Sequence, residues 1–334
     1  MKDIFTLNLQ LFAATQTTEL KTTGNNLSPE MKTFYDMTLI DEASAQLVHD
    51  QFGQKRPIPA NGGKTIEFRK FSSLAKATTP ITEGVTPNGN KLDVSTITAT
   101  VKQYGDFIVQ SDVLELTAID NTIVEATKIL GKQAGLTLDT ITRDVLASGT
   151  NVLYACGAPS RAAFDSGCTL AVADIRKAVA MLRAQNAPTF DGYYVGIIHP
   201  YAAYDLMSDP EWVDAHKYAQ PENLYTGEIG KIAGVRFVET SEAKIIRDSD
   251  YLDGAGSIFF TLIVGEGAYG VTEVTGGGLQ TIVKQKGSAG TGDPLDQRSS
   301  VGWKAMKTAE ILVPQYMVRI ESISTEWSDK VWDN

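Results

Sequence analysis

A proline-free stretch of apolar residues at helical spacing constrains the fold of this chain more than any other feature. Its members recur at steps of three and four residues: Ile119, Ile123, Ala126, Leu130, Ala134, Ile141 and Val145. No proline occurs between Pro87 and Pro159, so nothing in the stretch forces a break. The pattern predicts one helix of about 25–30 residues, on the order of 40 Å long.

The details of this helix follow from its sequence. Asp112, followed by Glu115, and then Asp120 are candidate N-terminal caps. Gly131 and Gly135 weaken the helix by about 1 kcal/mol each relative to alanine, which indicates a bend or a close helix crossing. We expect one face to be buried, formed by Ile123, Leu130, Ile141 and Val145.

A β-rich stretch, Lys64 to Gln110, precedes the helix. Apolar residues alternate with polar ones from Ile66 to Lys70 and again from Ile97 to Val101, and Phe107 to Val109 follow. Residues 79–90 between them are turn-forming and carry no core pattern. The stretch predicts one long two-stranded hairpin with an irregular tip. Since an isolated hairpin is marginally stable in water, we expect it to lie on another surface.

The charge of this stretch differs from that of the rest of the chain. Its six cationic residues (64, 69, 70, 76, 91, 102) and four acidic ones (67, 83, 93, 106) give +2, and the chain as a whole carries −10, so the remainder carries −12. The surface that receives the hairpin is therefore expected to be acidic.

Strand and helix patterns alternate through the next hundred residues. A helix is predicted from Asp174 to Asn186, and strands over Tyr193–Ile198, Gly234–Thr240 and Ser257–Val264. Strand-like runs return over 279–283 and 310–324. We therefore expect an α/β domain with a central sheet, within a mixed α+β chain.

The N-terminus has a strand pattern of its own. Phe5, Leu7, Leu9 and Leu11 alternate with polar residues, which predicts a strand with one apolar face. Such a strand needs a sheet to receive it. It can add to a sheet edge of another copy or fold back on its own chain, and the sequence leaves both open. Residues 15–29 are predicted to form an extended arm.

Few residues are available for catalysis or metal binding. The chain has three histidines and two cysteines, Cys156 and Cys168, which we interpret as reduced thiols of a cytosolic protein. His49 is predicted to be a solvated residue or a helix C-terminal residue favoured by the helix dipole. The acidic balance argues against sequence-specific nucleic-acid binding, and no apolar run is long enough for a membrane span. We expect no catalytic, cofactor or metal site and no membrane partner.

Two motif-like matches are rejected on physical grounds. Gly265–Gly270 has G-x-G-x-x-G spacing, but the β-branched residues that follow do not start the helix that dinucleotide binding requires. Asp209, Glu211, Asp214 and His216 could suggest a metal cluster. Asp209 before Pro210 is better explained as a helix N-cap, with Glu211 favoured by the helix dipole.

Three stretches resemble the HK97-type major capsid proteins of tailed phages, and among them the N4-gp56 family. They are Asn8–Ala13, Gly227–Thr240 and Asp293–Lys304, of which the last (Asp-Pro-Leu-Asp-Gln-Arg-Ser-Ser-Val-Gly-Trp-Lys) is the most specific. The resemblance extends over nearly the whole chain. It implies an N-terminal arm and short helix over 1–60, an E-loop hairpin over 61–111 and a P-domain spine helix with a link over 112–168. Residues 169–264 would be mostly A-domain, and 265–334 the returning strands that complete the P-domain, with a C-terminal tail.

The function that this resemblance implies is a non-enzymatic subunit of an icosahedral virion shell, built from hexamers and pentamers around the DNA genome. Because the arm is short, a separate scaffolding protein is expected, with a portal and possible decoration proteins as further partners, and assembly in the bacterial host cytoplasm. No motif identifies a cross-linking pair. The candidate intersubunit contacts are Phe5, Leu7, Leu9, Leu11, Lys70, Lys76, Ile81, Glu83, Val85 and Lys91. The alternatives are a soluble α/β enzyme with a dimerisation arm, or a phage tail or decoration protein.

Overall fold

The computed structural model describes residues 21–22, 26–27, 39, 42–43, 47–59, 63–71, 74–81, 83–84, 86, 89–117, 122–165, 167–219, 230–247, 257–273, 278–288 and 293–324. The chain divides into two compact units. One combines 1–44, 105–134 and 279–305, and the other combines 45–104, 135–278 and 306–334. The N-terminal strand predicted for Phe5, Leu7, Leu9 and Leu11 lies outside the described residues, as does Asp120. Of the predicted extended arm, the structure describes two paired strands of two residues each, β1 (Lys21–Thr22) and β2 (Asn26–Leu27).

A mixed seven-stranded sheet forms the core of the second unit. Its strands are β7 (Val152–Tyr154), β8 (Tyr194–Ile198), β9 (Lys231–Ile232), β10 (Val235–Glu239), β11 (Ile245–Arg247), β12 (Ser257–Val264) and β16 (Met317–Ser322). Their order is β7-β16-β12-β8-β10-β9, and β11 pairs with β12. β8 is parallel to β10 and antiparallel to β12, which matches a helix-containing crossover between β8 and β10.

Helices pack on this sheet because the connections between strands carry apolar faces. α3 (Val172–Ala184) buries Ile175, Val179 and Leu182, and α4 (Pro200–Ser208) is followed directly by α5 (Pro210–Ala219). The predicted strands and helices of this region are confirmed to within about two residues. The mixed α+β class is confirmed as well.

The hairpin is confirmed, but it is shorter than predicted. β4 (Thr65–Phe71) pairs antiparallel with β5 (Val94–Thr100), with Thr65 opposite Thr100. The predicted continuation to Gln110 is wrong, because residues 102–111 form a separate strand, β6 (Lys102–Ser111), that pairs with β15 (Arg298–Ile311). The alternation predicts a strand correctly but does not specify its partner.

Two helices form where the sequence predicts one helix with two candidate caps. α1 (Asp112–Thr117) is short, and α2 (Thr122–Ala147) has 26 residues, as the spacing predicts. None of the described helices combines the length and apolar character needed to cross a membrane. Gly131 lies against another helical residue, since a Cβ added there would be 2.9 Å from the Leu39 carbonyl oxygen. The expected close crossing is therefore confirmed.

The buried face of α2 is only partly as predicted. Leu130 is buried, but Ile123, Ile141 and Val145 are half-buried. The buried face instead runs along a row of i, i+4 positions: Ala126, Leu130, Ala134, Leu138, Thr142 and Leu146. The spacing of the apolar residues alone does not locate the buried face of α2, because several buried positions of this helix are polar and have hydrogen-bond or ionic partners.

Two of these polar residues, Asp139 and Thr142, form hydrogen bonds with His49 and Asp50 in the segment that precedes the hairpin. His49 Nδ1 lies 2.6 Å from Asp139 Oδ2, and the His49 amide donates to Asp139 Oδ1 over 2.7 Å. The prediction of a solvated His49 is wrong, because this pairing allows both side chains to be fully buried. The neighbouring Asp50 accepts a hydrogen bond from the Thr142 hydroxyl and forms a buried ion pair with Lys307.

Further strands complete the described structure. β3 (Gln54–Lys55) pairs with β13 (Tyr269–Glu273), and β13 pairs with residues 307–311 of β15. β14 (Gln280–Lys284) pairs with residues 300–304 of β15.

The prediction of two reduced thiols is wrong. Cys156 and Cys168 form a disulfide, with their Cα atoms 5.0 Å apart. The pair meets because β7 and Thr169 both lie beside β16, at Arg319–Glu321 and Ile323 respectively. The twelve-residue separation therefore closes into a loop between two neighbours of one strand.

Candidate assembly surfaces

The base of the hairpin is held by close packing. The Phe68 side chain is buried, and a Cβ added at Gly270 would be 2.8 Å from its ring. The Arg56 guanidinium lies over the same ring, 5.7 Å from its centroid. Across the ladder Ala99 is fully buried, and the Val101 amide donates to the Lys64 carbonyl over 2.9 Å. The hairpin is thus fixed at its root.

Beyond that root the hairpin is open to solvent. Four large apolar side chains on it are exposed: Leu74 by 54%, Ile81 by 75%, Leu92 by 62% and Val94 by 47%. Five of the seven residues of β5 are exposed, and only Ala99 is buried. A pair of strands with so little burial presents apolar surface that the described residues of the chain do not cover.

The structure places the predicted contact residues in three groups. Lys76, Ile81, Glu83 and Lys91 are exposed on the hairpin. Lys70 is a residue of β4, where it lies opposite Ser95. Val85 and the N-terminal set lie outside the described residues. The geometry therefore brings four of these residues to the surface of one hairpin, and their contacts with another subunit stay a prediction.

Sequence reasoning missed a second apolar surface, a depression across β14, β15 and β6. It has a volume of about 380 Å³, and its lining residues include Gly302, Gly105, Phe107 and Ile282. A Cβ added at Gly302 would be 2.6 Å from the Phe107 Cβ. A glycine within a strand pattern is the sequence signal for such a close approach, and Gly302 in Ser-Val-Gly-Trp carries it.

The rejected motifs behave as their physical chemistry predicts. Gly265–Gly270 leads into β13 rather than into a helix. Asp209 Oδ1 accepts the Glu211 amide over 2.9 Å, and Asp209 Oδ2 accepts the Val172 amide over 2.9 Å, so this carboxylate organises the starts of two helices. Glu211 pairs with Arg176.

Most of the buried ionic groups in the second unit are paired. The Tyr269 hydroxyl donates to the His49 carbonyl, and burial raises the pKa of this hydroxyl, with nearby Asp50 and Asp139 adding to the effect. His49 Nε2 lacks a hydrogen-bond partner among the described residues. Because His49, Asp139, Asp50 and Lys307 are almost completely buried, the arrangement acts as a clamp within the subunit rather than as a site for substrate.

A family model described as "Phage capsid protein" matches residues 9–288, which is most of the 334 residues. The chain belongs to the phage capsid protein family. It is therefore a structural subunit of a bacteriophage capsid, which points away from an enzyme. No curated protein sequence matches the chain.

Solved capsids share the fold of this capsid protein. The capsid of Ralstonia phage GP4 is 14% identical with a TM-score of 0.65, and the match covers 98% of this chain and 100% of that one. The capsid of cyanophage P-SCSP1u is 14% identical with a TM-score of 0.64, covering 95% and 94%. The head of Helicobacter pylori bacteriophage KHP40 is 18% identical with a TM-score of 0.58, covering 80% and 88%. At these identities the likeness shows the fold, which is HK97-like.

Proposed function

We propose that this chain is the major subunit of a tailed-phage head, forming hexamers and pentamers of an icosahedral shell that encloses the DNA genome without reading its sequence. The observation that carries this proposal is the hairpin, which is fixed at its root and bears four exposed apolar side chains beyond it. A single subunit gains nothing from exposing that surface. A closed shell gives every hairpin an identical neighbour on which to bury it.

The contacts that we propose follow the hairpin from root to tip. Lys70, Lys76, Ile81, Glu83, Val85 and Lys91 lie against a neighbouring subunit. The apolar members supply most of the free energy, since complete burial of a large aliphatic side chain contributes about 1.5–3 kcal/mol. The lysines favour an acidic receiving surface and contribute less, because exposed ion pairs are typically worth about 0–1 kcal/mol.

A second intersubunit contact is proposed for the N-terminal strand. Phe5, Leu7, Leu9 and Leu11 form one apolar face, which suits addition to a sheet edge of another copy. Folding back on its own chain is the competing arrangement. Hydrogen exchange separates the two: protection of Leu7 and Leu9 in the dissociated subunit contradicts strand addition, and protection only in the particle supports it.

The remaining parts of the proposal concern partners and place. A separate scaffolding protein, a portal and, in some particles, a decoration protein would complete the head, which is assembled in the host cytoplasm. Among phage capsid proteins we assign the chain to the N4-gp56 family, on the strength of the Asp293–Lys304 stretch. We also propose the five segments 1–60, 61–111, 112–168, 169–264 and 265–334 as arm, E-loop hairpin together with the strand β6 that follows it, spine helix with its link, A-domain (mostly) and returning strands with a C-terminal tail.

Negative-stain microscopy and size-exclusion chromatography of the purified chain test this function. We expect capsomer rings or closed shells, with the co-expressed scaffolding protein added if the chain alone stays dispersed. A stable dimer that turns over a small-molecule substrate would contradict the proposal and favour an enzyme with a dimerisation arm. Tubes, or binding only to preformed heads, would contradict it in favour of a tail or decoration protein.

A further inference from the structure

The disulfide closes a loop whose Arg161 pairs with Glu321, a buried carboxylate of the central sheet. Arg161 lies between Cys156 and Cys168 in a short 3₁₀ turn, Arg161–Ala163. Its Nε lies 2.6 Å from Glu321 Oε2, and its Nη2 lies 2.9 Å from Glu321 Oε1. This bidentate geometry is the strong form of an arginine–carboxylate pair.

Glu321 depends on such partners because it is a fully buried carboxylate on β16. Arg319 supplies the second cation, with its Nε 2.8 Å from Glu321 Oε1. The Arg161 guanidinium also lies over the Phe260 ring, 5.8 Å from its centroid. A buried carboxylate that loses one of two cations is left with an uncompensated desolvation cost, so the position of the Arg161 loop affects the stability of the sheet.

Most of the loop's described residues are exposed. Of the residues between the two cysteines, Phe164 is buried, in a small cluster with Cys168, Phe260 and Ile323. Gly157, Pro159, Ser160, Ala162, Ala163 and Asp165 are exposed. Cys156 itself has a positive φ of 53°, a conformation that non-glycine residues adopt infrequently. A disulfide across this loop therefore closes a segment that is mostly exposed to solvent.

The two sulfur atoms differ in access. Cys156 is exposed, whereas Cys168 is fully buried and its Sγ lies 3.3 Å from Asp165 Oδ1. In the reduced protein the Cys168 thiol is placed to donate to that carboxylate. The exposed cysteine is therefore the one that a reagent from solution reaches first.

We propose that Cys156 and Cys168 are a redox modification site that is reduced while the shell assembles and oxidised after the particle leaves the host. The proposal rests on the proposed function, because cytoplasmic assembly keeps thiols reduced and release exposes them to oxidising surroundings. The newly formed disulfide fixes the Arg161 loop on Glu321, so the released particle is more stable than the one that was assembled.

The oxidation is a thiol–disulfide exchange with a small disulfide such as oxidised glutathione. The Cys156 thiolate, having given its proton to solvent, attacks one sulfur of the glutathione disulfide and releases one glutathione thiolate. The Cys168 thiolate then attacks the Cys156 sulfur of the mixed disulfide and releases the second. Two protein thiols and one glutathione disulfide become one protein disulfide and two glutathione thiols, with both protons taken up by the departing thiolates.

Alkylation with N-ethylmaleimide in denaturant, followed by intact-mass measurement, tests the two redox states. Particles taken from host cells lysed directly into the reagent should carry two labels per subunit, and particles from the cleared medium should carry none. Two labels on released particles, or none on intracellular ones, would overturn the proposal.

Thermal unfolding and hydrogen exchange test the consequence. Reduction of released particles should lower the midpoint temperature by roughly 5–10 °C and accelerate exchange at residues 158–164, while β12 in the same subunit stays protected. The Cys156→Ser particle should match the reduced wild type and respond to neither reductant nor glutathione disulfide. Unchanged melting and exchange on reduction would overturn the proposal. Failure of the proposed function is separately visible, since it would leave no shells by microscopy whatever the thiols do.

Discussion

β12 and β5 are strands of similar length with opposite environments. All eight residues of β12 are buried, whereas one of the seven residues of β5 is. β12 lies between β16 and β8 in the central sheet, and β5 has only β4 as a described partner. The comparison shows where one chain completes its own core and where it does not. A subunit can fold through the central sheet while leaving the hairpin for a neighbour.

The sequences of the two strands already differ in the way this account requires. β12 is Ser-Ile-Phe-Phe-Thr-Leu-Ile-Val, a nearly continuous apolar run typical of a strand covered on both faces. β5 is Val-Ser-Thr-Ile-Thr-Ala-Thr, which alternates and offers one narrow apolar face. Burial of β12 is therefore determined within the chain, and burial of the hairpin depends on what is placed against it.

Deletion of residues 79–90 is expected to have the largest effect. Removing this hairpin tip should abolish shell assembly, because Ile81 and its surroundings are then missing from the proposed contact. The subunit should still fold, since none of the described residues of the tip belongs to the central sheet. Electron microscopy reports the assembly and thermal unfolding reports the fold.

The matched control for that deletion is a pair of substitutions that keeps chain length. Ile81→Ser with Leu92→Ser removes apolar contact area and should weaken assembly, whereas Lys76→Ser with Glu83→Ser should change it little. A tip-deleted subunit that cannot fold, or one that still forms normal shells, would show that the division between sheet and hairpin is wrong.

Ile263→Ala and Leu92→Ala compare the two environments directly. Ile263 is fully buried in β12, so its truncation should lower the free energy of unfolding by about 2–5 kcal/mol. Leu92 is 62% exposed, and its truncation should lower the free energy of unfolding of the dissociated subunit by less than about 0.5 kcal/mol. Chemical denaturation of dissociated subunits measures both values. Equal losses would contradict the comparison.

Acid should weaken the sheet region through His199. Burial lowers the pKa of His199 from 6.5 to about 4. The side chain accepts the Tyr201 amide at the start of α4 and packs against Phe259. Between pH 6.5 and 4, His199 is protonated in the unfolded chain but neutral in the folded subunit. Stability is complete above pH 6.5 and falls as the pH drops towards 4, by on the order of 3 kcal/mol.

The control for this prediction is His199→Asn, which retains an acceptor for the helix start and does not titrate in this range. The difference in unfolding free energy between wild type and variant should change with pH between 6.5 and 4 and be constant above it. A difference independent of pH would mean that His199 is accessible to protons in the folded subunit.

Salt should have the smallest effect. If the charge of +2 on residues 64–100 meets an acidic surface, the critical concentration for assembly should rise modestly when salt is increased to about 0.5 M, because charges more than a few ångströms apart are then screened from one another. Light scattering across a salt series measures it. Assembly that is independent of salt would assign the contact to apolar and main-chain interactions alone.

The parts of the fold that the sequence predicts well are those with local causes. The apolar run of β8 and the turn chemistry of Asp209-Pro210 act within a few residues, and both are confirmed. The buried face of α2 is predicted only in part, and the burial of His49 and the strand partner of residues 102–111 are predicted wrongly. Each of these depends on a distant partner: His49 meets Asp139 ninety positions away, and β6 pairs with β15.

The candidate surfaces divide in the same way. Exposure of Ile81 and Lys91 follows from a tip without a core pattern, so it could be anticipated from the sequence. The depression around Gly302 requires three strands brought together from different parts of the chain, and a single glycine is too weak a signal to locate it. The sequence does not predict the disulfide, because the compartment argument favours free thiols, whereas the fold brings the two cysteines together beside β16.

Hydrogen exchange along the hairpin, in dissociated subunits and in assembled particles, tests the central claim most directly. The account predicts that amides of residues 74–81 and 89–94 exchange rapidly in the subunit and become protected in the particle. Amides of β12 should be protected in both. Hairpin amides that are already protected in the subunit, or that still exchange rapidly in the particle, would contradict the claim that a neighbouring copy completes this part of the structure.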